Sequence, residues 1–399
     1  MNGPLDGLKV LDVGTVLAAP IAATLLADLG AEVLKIEHPR GDSIRTWGVN
    51  KNGAYLLWKV VNRNKKSITL NLSNPEGQEI FRRLAKDSDI VIENFRPGTM
   101  NRWNIGIDQL RKINPQIIMI SISGWGQNGP YSNKPGYGTL AEGISGFAQL
   151  NGPEDSPPTL PPVGMADGTS GLFAAFAALA AIFHREINGG RGQHVDISLY
   201  ESLYTLLGFT NVPVTQYDQL GVIPHRMGNR TNFESPRNLY KTKDDRWISI
   251  SSTNESMAKR IFTAMGMEKL LEDPRFENND KRLENIDEVD RIVSEWMSRH
   301  DSEEVLSLFE KNEATAGIVY DVKDMFEDEH FRARENIVTV MDSELGPMKT
   351  HGIFPIFRDT PGVIQNSGLP LGQNNEEIYM KRLGLSEKEL LALKEKNVI

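Results

Sequence analysis

Asp167 is followed by Gly168, Thr169 and Ser170 and then by small apolar residues from Gly171 to Arg185, which places a carboxylate at the start of a helix. Two kinds of chemistry fit that placement. The carboxylate can cap the free amides of the helix, or the same amides and the helix dipole can hold it as a positioned, exposed anion that attacks an electrophile. Spacing alone does not choose between them. Other nucleophiles are scarce. The 399 residues include no cysteine, which removes disulfides, thiolate nucleophiles, zinc-thiolate sites and iron-sulfur ligation in one step. The 7 histidines are scattered without metal-ligand spacing, and His184, near the end of the apolar run, suits a core or helix-terminus role. The motifs G-x-S-x-G, G-x-x-x-x-G-K-S/T and H-E-x-x-H are absent.

One glycine pattern invites a dinucleotide reading. Gly124, Gly126 and Gly129 match G-x-G-x-x-G after an expected strand, where a helix should follow and hold pyrophosphate at its amino terminus. Pro130 to Pro135 follow instead and cannot continue as a helix. The first strand leads into Thr15 to Pro20 with no glycine, so a nicotinamide or flavin site is not expected.

The elements that position Asp167 follow from the alternation of short β-branched runs with amphipathic stretches, which predicts a parallel, doubly wound α/β unit from residue 7 to 123. Expected strands are Gly7 to Val13, Glu32 to Glu37, Ser67 to Leu72, Asp89 to Glu93 and Ile117 to Ser123, with helices from about Pro20 to Gly30 and from Pro75 to Lys86. Gly124 to Pro162 reads as loop, Gly171 to Arg185 as a buried helix and about Asp196 to Gly208 as another. Asn211 to Pro236 reads as a connection. Arg246 to Ser251 alternates like a strand, with charged helices from Ser256 to Phe309. The tail from about Arg332 carries helices around Glu376 and Glu387, with Ser386 and Glu389 at capping-box spacing. The expected organisation is a large domain of residues 1–210 with 330–399, a linker of 211–236 and a small α+β domain of 237–329.

Apolar content of 39% and charged content of 24% fit an ordinary globular protein. The longest apolar stretch, Leu172 to Phe183, is shorter than a membrane crossing needs, so no membrane association is expected. Met1 to Asp6 show no basic segment followed by an apolar one, and a cytoplasmic protein is expected. The net charge of −9 argues against nucleic acid as the partner but leaves room for a small phosphorylated ligand in a locally basic cleft.

Several longer segments carry a resemblance. They are Gly7 to Gly14 (GLKVLDVG), Ala27 to Glu37 (ADLGAEVLKIE) with His38-Pro-Arg-Gly-Asp42, and Asn62 to Ile68 (NRNKKSI). Glu93 to Gly98 (ENFRPG), Gly124 to Pro130, Pro135-Gly-Tyr137 and Gly190 to Gln193 (GRGQ) continue the series. The sequence resembles, nearly end to end, the class III CoA-transferases (CaiB/BaiF type; formyl-CoA transferase and carnitine-CoA transferase-like). The resemblance implies a Rossmann-like large domain, a small domain and an interlocked, ring-like homodimer. It implies CoA transfer between an acyl-CoA and a carboxylic acid, with Asp167 as nucleophile passing through a mixed anhydride and an aspartyl-CoA thioester. No tightly bound cofactor is implied, CoA itself being substrate and product. By the same likeness Val16 and Ala18 line the pantetheine path, with His38, Arg40, Leu70, Ser73, Asn94, Phe95 and Arg102 around the nucleotide end and Tyr137 near the thioester. Leu70 and Phe95 also read as core, and Arg40 as a solvated turn residue.

There are departures. The family often has an acidic residue after the tyrosine and a glutamine four residues further on, where Gly138 and Glu142 stand here. The glycine-rich flap of the oxalate-type members reads Ser251 to Glu255 (SSTNE), and their glutamine after the first-strand valine is Leu17. These differences argue against oxalate and formate exchange, and Thr46-Trp-Gly48 looks closer to members that handle succinyl-CoA and other dicarboxylates. Two rival readings remain. An α-methylacyl-CoA racemase-type enzyme would need a proton-transfer partner where Tyr137 stands, for which tyrosine is poorly suited. A non-catalytic CoA-binding subunit of a heteromer would not need Asp167.

Overall fold

A computed structural model describes residues 3–399, so Met1 and Asn2 of the amino-terminal segment lie outside the described residues. The β-branched runs form six parallel strands: β1 Lys9–Asp12, β2 Glu32–Glu37, β3 Lys65–Thr69, β4 Ile90–Glu93, β5 Ile118–Ser123 and β6 His194–Ser198. Their order is β3-β2-β1-β4-β5-β6, that of a doubly wound nucleotide-binding sheet. Successive side chains leave a strand on opposite faces. Val10, Val33, Ile90 and Ile118 therefore enter one core, and Leu11, Leu34, Val91 and Met119 enter the other. Because both faces are covered, the strands read as continuous apolar runs rather than alternating ones.

The helices that matter here are α1 Ala18–Asp28, α2 Pro75–Lys86, α3 Gly138–Ile144, α4 Met165–Ile187, α5 Leu199–Thr210 and α6 Pro213–Leu220. α2 starts as its sequence demands, with Asn74 accepting the Glu76 amide at 2.8 Å and Pro75 in the first turn. α1 and α4 pack through small residues, Ala18, Ala19, Ala22 and Ala23 against Ala174 and Ala178 among others. At Gly171 a Cβ would lie 2.7 Å from Ile21 Cγ2 and 3.1 Å from the Ala18 carbonyl, so only glycine permits this approach.

Several local expectations are revised. α4 begins at Met165, six residues before the expected start at Gly171, because Gly164 ends the preceding loop and the Asp167 segment is already helical. His194–Ser198, expected to open a helix from Asp196, is instead edge strand β6 beside β5, and Ser198 caps α5 by accepting the Glu201 amide at 3.2 Å. α3 stands inside the expected loop, and α6 inside the expected connection. Ser386 and Glu389 do form the capping box. By length and composition α4 is long and apolar enough to cross a membrane, contrary to the shorter stretch read from the sequence. Its buried side, Ala166, Ser170, Gly171, Ala174, Ala175, Ala178 and Ala181, is packed into the sheet core, as in a core helix.

The chain divides into two compact units, one made of the described part of Met1–Ala148 with Leu160–Ile223 and Arg332–Ile399, the other of Gln149–Thr159 and Pro224–Phe331. The second holds a three-stranded antiparallel sheet, β7 Arg237–Lys241, β8 Trp247–Ser251 and β9 Ala316–Ile318, in the order β9-β8-β7. Its core gathers Ile248, Phe262, Val293 and Phe309.

Candidate active site

In a sheet of this order, the crevice outside the carboxyl ends of β1 and β4 is the natural place for a ligand. The chain folds there into a reciprocal clasp: the Thr15 amide donates to Asn94 Oδ1 and Asn94 Nδ2 donates to the Thr15 carbonyl, both at 2.7 Å. The next residue, Val16, has φ +62°, a left-handed conformation that costs a β-branched residue free energy. It is held by Asp42, whose two carboxylate oxygens accept the Val16 amide at 3.1 and 3.3 Å. Asp42 is supported in turn by the Ile44 amide at 3.2 Å and by the buried ammonium of Lys35 at 3.6 Å. Lys35 also donates to the Gly14 carbonyl and lies 3.7 Å from Asp12. Beside it Lys65 donates to Asp12 at 2.8 Å, and burial brings its pKa down to about 8 against the opposing pull of Asp12. A buried ionic network, expensive unless every charge is paired, thus underlies the loop Gly14 to Val16.

That loop delivers the chain into α1, whose first residue, Ala18, brings its amide close enough to the Asp167 carboxylate to favour the anion. Asp167 lies in the first turn of α4 and does not cap it: the N-cap position is Gly164, which has no side chain. The capping group is Glu142 of α3, whose Oε1 accepts the Met165 amide at 3.1 Å and the Ala166 amide at 3.3 Å. Burial, and secondly the charge of Glu142, push the Asp167 carboxyl up to about 6, partly offset by the amides of Ala18 and of Asp167 itself. Gly138, which opens α3, stands so close that a Cβ there would meet Asp167 Oδ2 at 2.3 Å.

These residues border a cleft of about 670 Å³. Val16, Ala18, Asn94, Phe95 and Tyr137 line it together with Asp167, and Tyr137 is well exposed into it. Glu93 supports this wall from below: its Oε2 accepts the Phe95 amide at 2.7 Å, and burial raises its pKa to about 7. The other five residues named from the resemblance do not line the cleft. Leu70 is fully buried in the core. Ser73 is bonded to Asn71 at 2.6 Å and Arg102 to Thr99 at 2.7 Å. His38 accepts the Arg40 amide at 3.1 Å, and burial followed by the Arg40 charge lowers its pKa. Lining residues that the sequence reading did not assign to the site are Trp47 and Glu142, noted there only in comparison with the family, and Arg96 and Lys134. Arg96 lies inside the segment Glu93 to Gly98 and so had a signal. Lys134, whose ammonium lies 3.6 Å over the Tyr131 ring, had none.

The glycine pattern at 124–129 also has a structural account. Cβ atoms at Gly124 and Gly136 would run into the facing backbone at 2.6 and 2.7 Å, so the two glycines let the loop after β5 close on the segment that leads to Tyr137. Trp125 Nε1 donates to the Pro135 carbonyl at 3.0 Å and fixes that closure. The motif shapes the cleft wall, and no helix follows it.

The profile of CoA-transferase family III matches residues 5–375. The chain is 39% identical to the succinyl-CoA–D-citramalate CoA-transferase of Chloroflexus aurantiacus over 99% of this chain and 98% of that one. It is 38% identical, over 99% and 98%, to the beta subunit of succinyl-CoA–L-malate CoA-transferase from the same organism. A crystal structure of a CaiB/BaiF family protein from Brucella suis superposes with a TM-score of 0.83 at 31% identity, covering 96% of this chain and all of that one. Together with the cleft at the switch point of the parallel sheet, these matches establish that the chain belongs to CoA-transferase family III, enzymes that pass CoA between an acyl-CoA and a carboxylic acid.

Proposed function

We propose that Asp167 is the acylated nucleophile of this transfer. Its carboxylate attacks the thioester carbonyl carbon of the donor. The C–S bond breaks, CoA leaves as the thiolate, and a mixed anhydride remains on Asp167. The thiolate then attacks the aspartyl carbonyl, freeing the donor acid and leaving an aspartyl-CoA thioester. The acceptor carboxylate reverses both steps. The observation that carries this reading is that Asp167 lines the cleft while Glu142 takes the capping of α4, with the Ala18 amide and its own amide near its carboxylate. The Ala18 amide and the start of α4 are groups able to stabilise an oxyanion.

Val16, Ala18, Asn94, Phe95 and Tyr137 are assigned to the CoA path, and the cationic side chains of Arg96 and Lys134 suit its phosphates. Since relatives are named for succinyl-CoA, the donor is assigned as succinyl-CoA or another dicarboxylyl-CoA. Pairing with a second copy, in the interlocked manner the resemblance implies, is supported by an exposed apolar row on α4, Leu172, Phe176, Leu179, Phe183 and Ile187, continued by Phe209 on α5.

The test is exchange of CoA between succinyl-CoA and a panel of acids, read by mass spectrometry. Asp167→Ala should abolish exchange while CoA binding persists, and the wild-type enzyme should give a hydroxylamine-sensitive adduct on the peptide containing Asp167. Turnover retained in the variant would overturn the assignment.

A further inference from the structure

A helix begins with amides that have no partner inside it, and an acidic residue in the first turn commonly bends back to take one. Asp167 is such a residue, so its availability is favoured when neighbouring amides of that turn are occupied by something else. In α4 the first two are occupied from outside, while the third, Asp167's own, favours its carboxylate as the anion: Glu142, only 4% exposed, reaches across from α3 and accepts both Met165 and Ala166 on one oxygen. Neither neighbour on the chain can substitute, since Gly164 at the N-cap has no side chain and Val163 has no acceptor. Gly138 completes the arrangement, because its missing Cβ leaves the space in which Asp167 Oδ2 lies.

We propose that Glu142 is a positioning residue for the transfer reaction: by satisfying the first amides of α4, it leaves the carboxyl of Asp167 turned into the cleft and free to be acylated. The inference rests on Asp167 being the nucleophile. A second effect follows from proximity. The charge of Glu142 opposes ionisation of Asp167 and makes it a more basic nucleophile. The other charged or titratable side chains lining the cleft are Asp42, Arg96, Lys134 and Tyr137. None of these contributes to the displacement of Asp167 as Glu142 does.

Two variants separate the effects. Glu142→Gln keeps an acceptor oxygen for the amides and removes the charge, so kcat should stay within about fivefold while the acid limb of kcat/KM, set by Asp167, moves to lower pH. Glu142→Ala leaves the amides open to Asp167, and kcat should fall about 100-fold, the scale of a misplaced reacting group, with KM for the acyl-CoA within about twofold, since only positioning is lost. Near-normal kcat in Glu142→Ala would overturn the positioning role, and an unmoved acid limb in Glu142→Gln would overturn the charge effect. If Glu142→Ala does not fold, Glu142→Met, which fills the same space without a carboxylate acceptor, takes its place with the same expected fall in kcat. Inactive Asp167→Ala beside unaffected Glu142 variants would sink only this inference, whereas active Asp167→Ala would sink the nucleophile assignment itself.

Discussion

Asp42 holds Val16 by its amide with both carboxylate oxygens, at 3.1 and 3.3 Å, and Val16 is the β-branched residue kept at φ +62° directly before the cleft-lining start of α1. Left-handed backbone costs such a residue about 1–2 kcal/mol, so the bond to Asp42 keeps a conformation that the chain would otherwise leave. Asp42→Ala should therefore reduce exchange, by about tenfold if the bond offsets that cost. Glycine adopts the same φ freely, so Val16→Gly in the Asp42→Ala background should recover part of the loss. Steady-state exchange rates of the two single variants and the double variant test this, and strictly additive losses would refute it.

Asp167 carries a cost to stability of predictable sign. Its pKa is raised in the folded protein to about 6 from the ordinary 3.8. Above pH 6 the folded state bears the charge at a penalty. As pH falls through 6 the folded state takes up a proton that the unfolded chain does not yet bind, so the penalty is gone below about pH 4. Asp167→Asn should thus unfold at a higher temperature than wild type at pH 7.5. The gain is bounded by about 3 kcal/mol and reduced by solvent screening at this partly open site. The difference should vanish near pH 4, and thermal melts at the two pH values give the answer.

Gly138 is demanded by contact rather than by backbone angle. A methyl group there would meet Asp167 Oδ2 at 2.3 Å, and the carboxyl is the part able to move. Gly138→Ala should leave the melting temperature near that of wild type and lower kcat about tenfold or more, as expected when a reacting group is displaced. A crystal structure of the variant should show Asp167 in a different rotamer. An unchanged rotamer with unchanged kcat would contradict the expectation.

The apolar row on α4 makes a prediction about assembly. Phe176 is 70% exposed and Phe183 59% exposed. If this row is covered by a second copy, Phe176→Glu with Phe183→Glu places two charges where desolvation is costly, and light scattering should report a shift to monomer. A mass unchanged from wild type across protein concentrations would remove the row from the interface.

The parallel sheet was legible because its strands are short β-branched runs bounded by turns, and the regular alternation with helices leaves few ways to connect them. Asn94 and Val16 were reachable through the resemblance, Asn94 directly after a strand that could be read and Val16 in the short loop after another. Glu142 was marked there only as a departure from the family's glutamine; its capping role was not legible, because its partners Met165 and Ala166 lie across a stretch with no periodicity and nothing local marks a side chain that caps another helix. The same blindness produced the capping alternative for Asp167: Gly164 gave no signal that the helix had already begun. β6 was misread because His194–Ser198 is one short edge strand running straight into α5, where helical spacing dominates any window that contains both.

α4 has 23 residues, a rod of about 34 Å at 1.5 Å per residue, with Asp167 in its first turn and Phe183 and Ile187 in its last two. Hydrogen-bonded helix does not stretch, so a tilt or slide imposed at the far end arrives at the reacting end as a displacement of comparable size. With Asp167 as the proposed nucleophile, a partner seated against the last turns of this rod would help to aim the carboxyl group, and an enzyme loosened there would lose accuracy in its chemistry before it lost its fold.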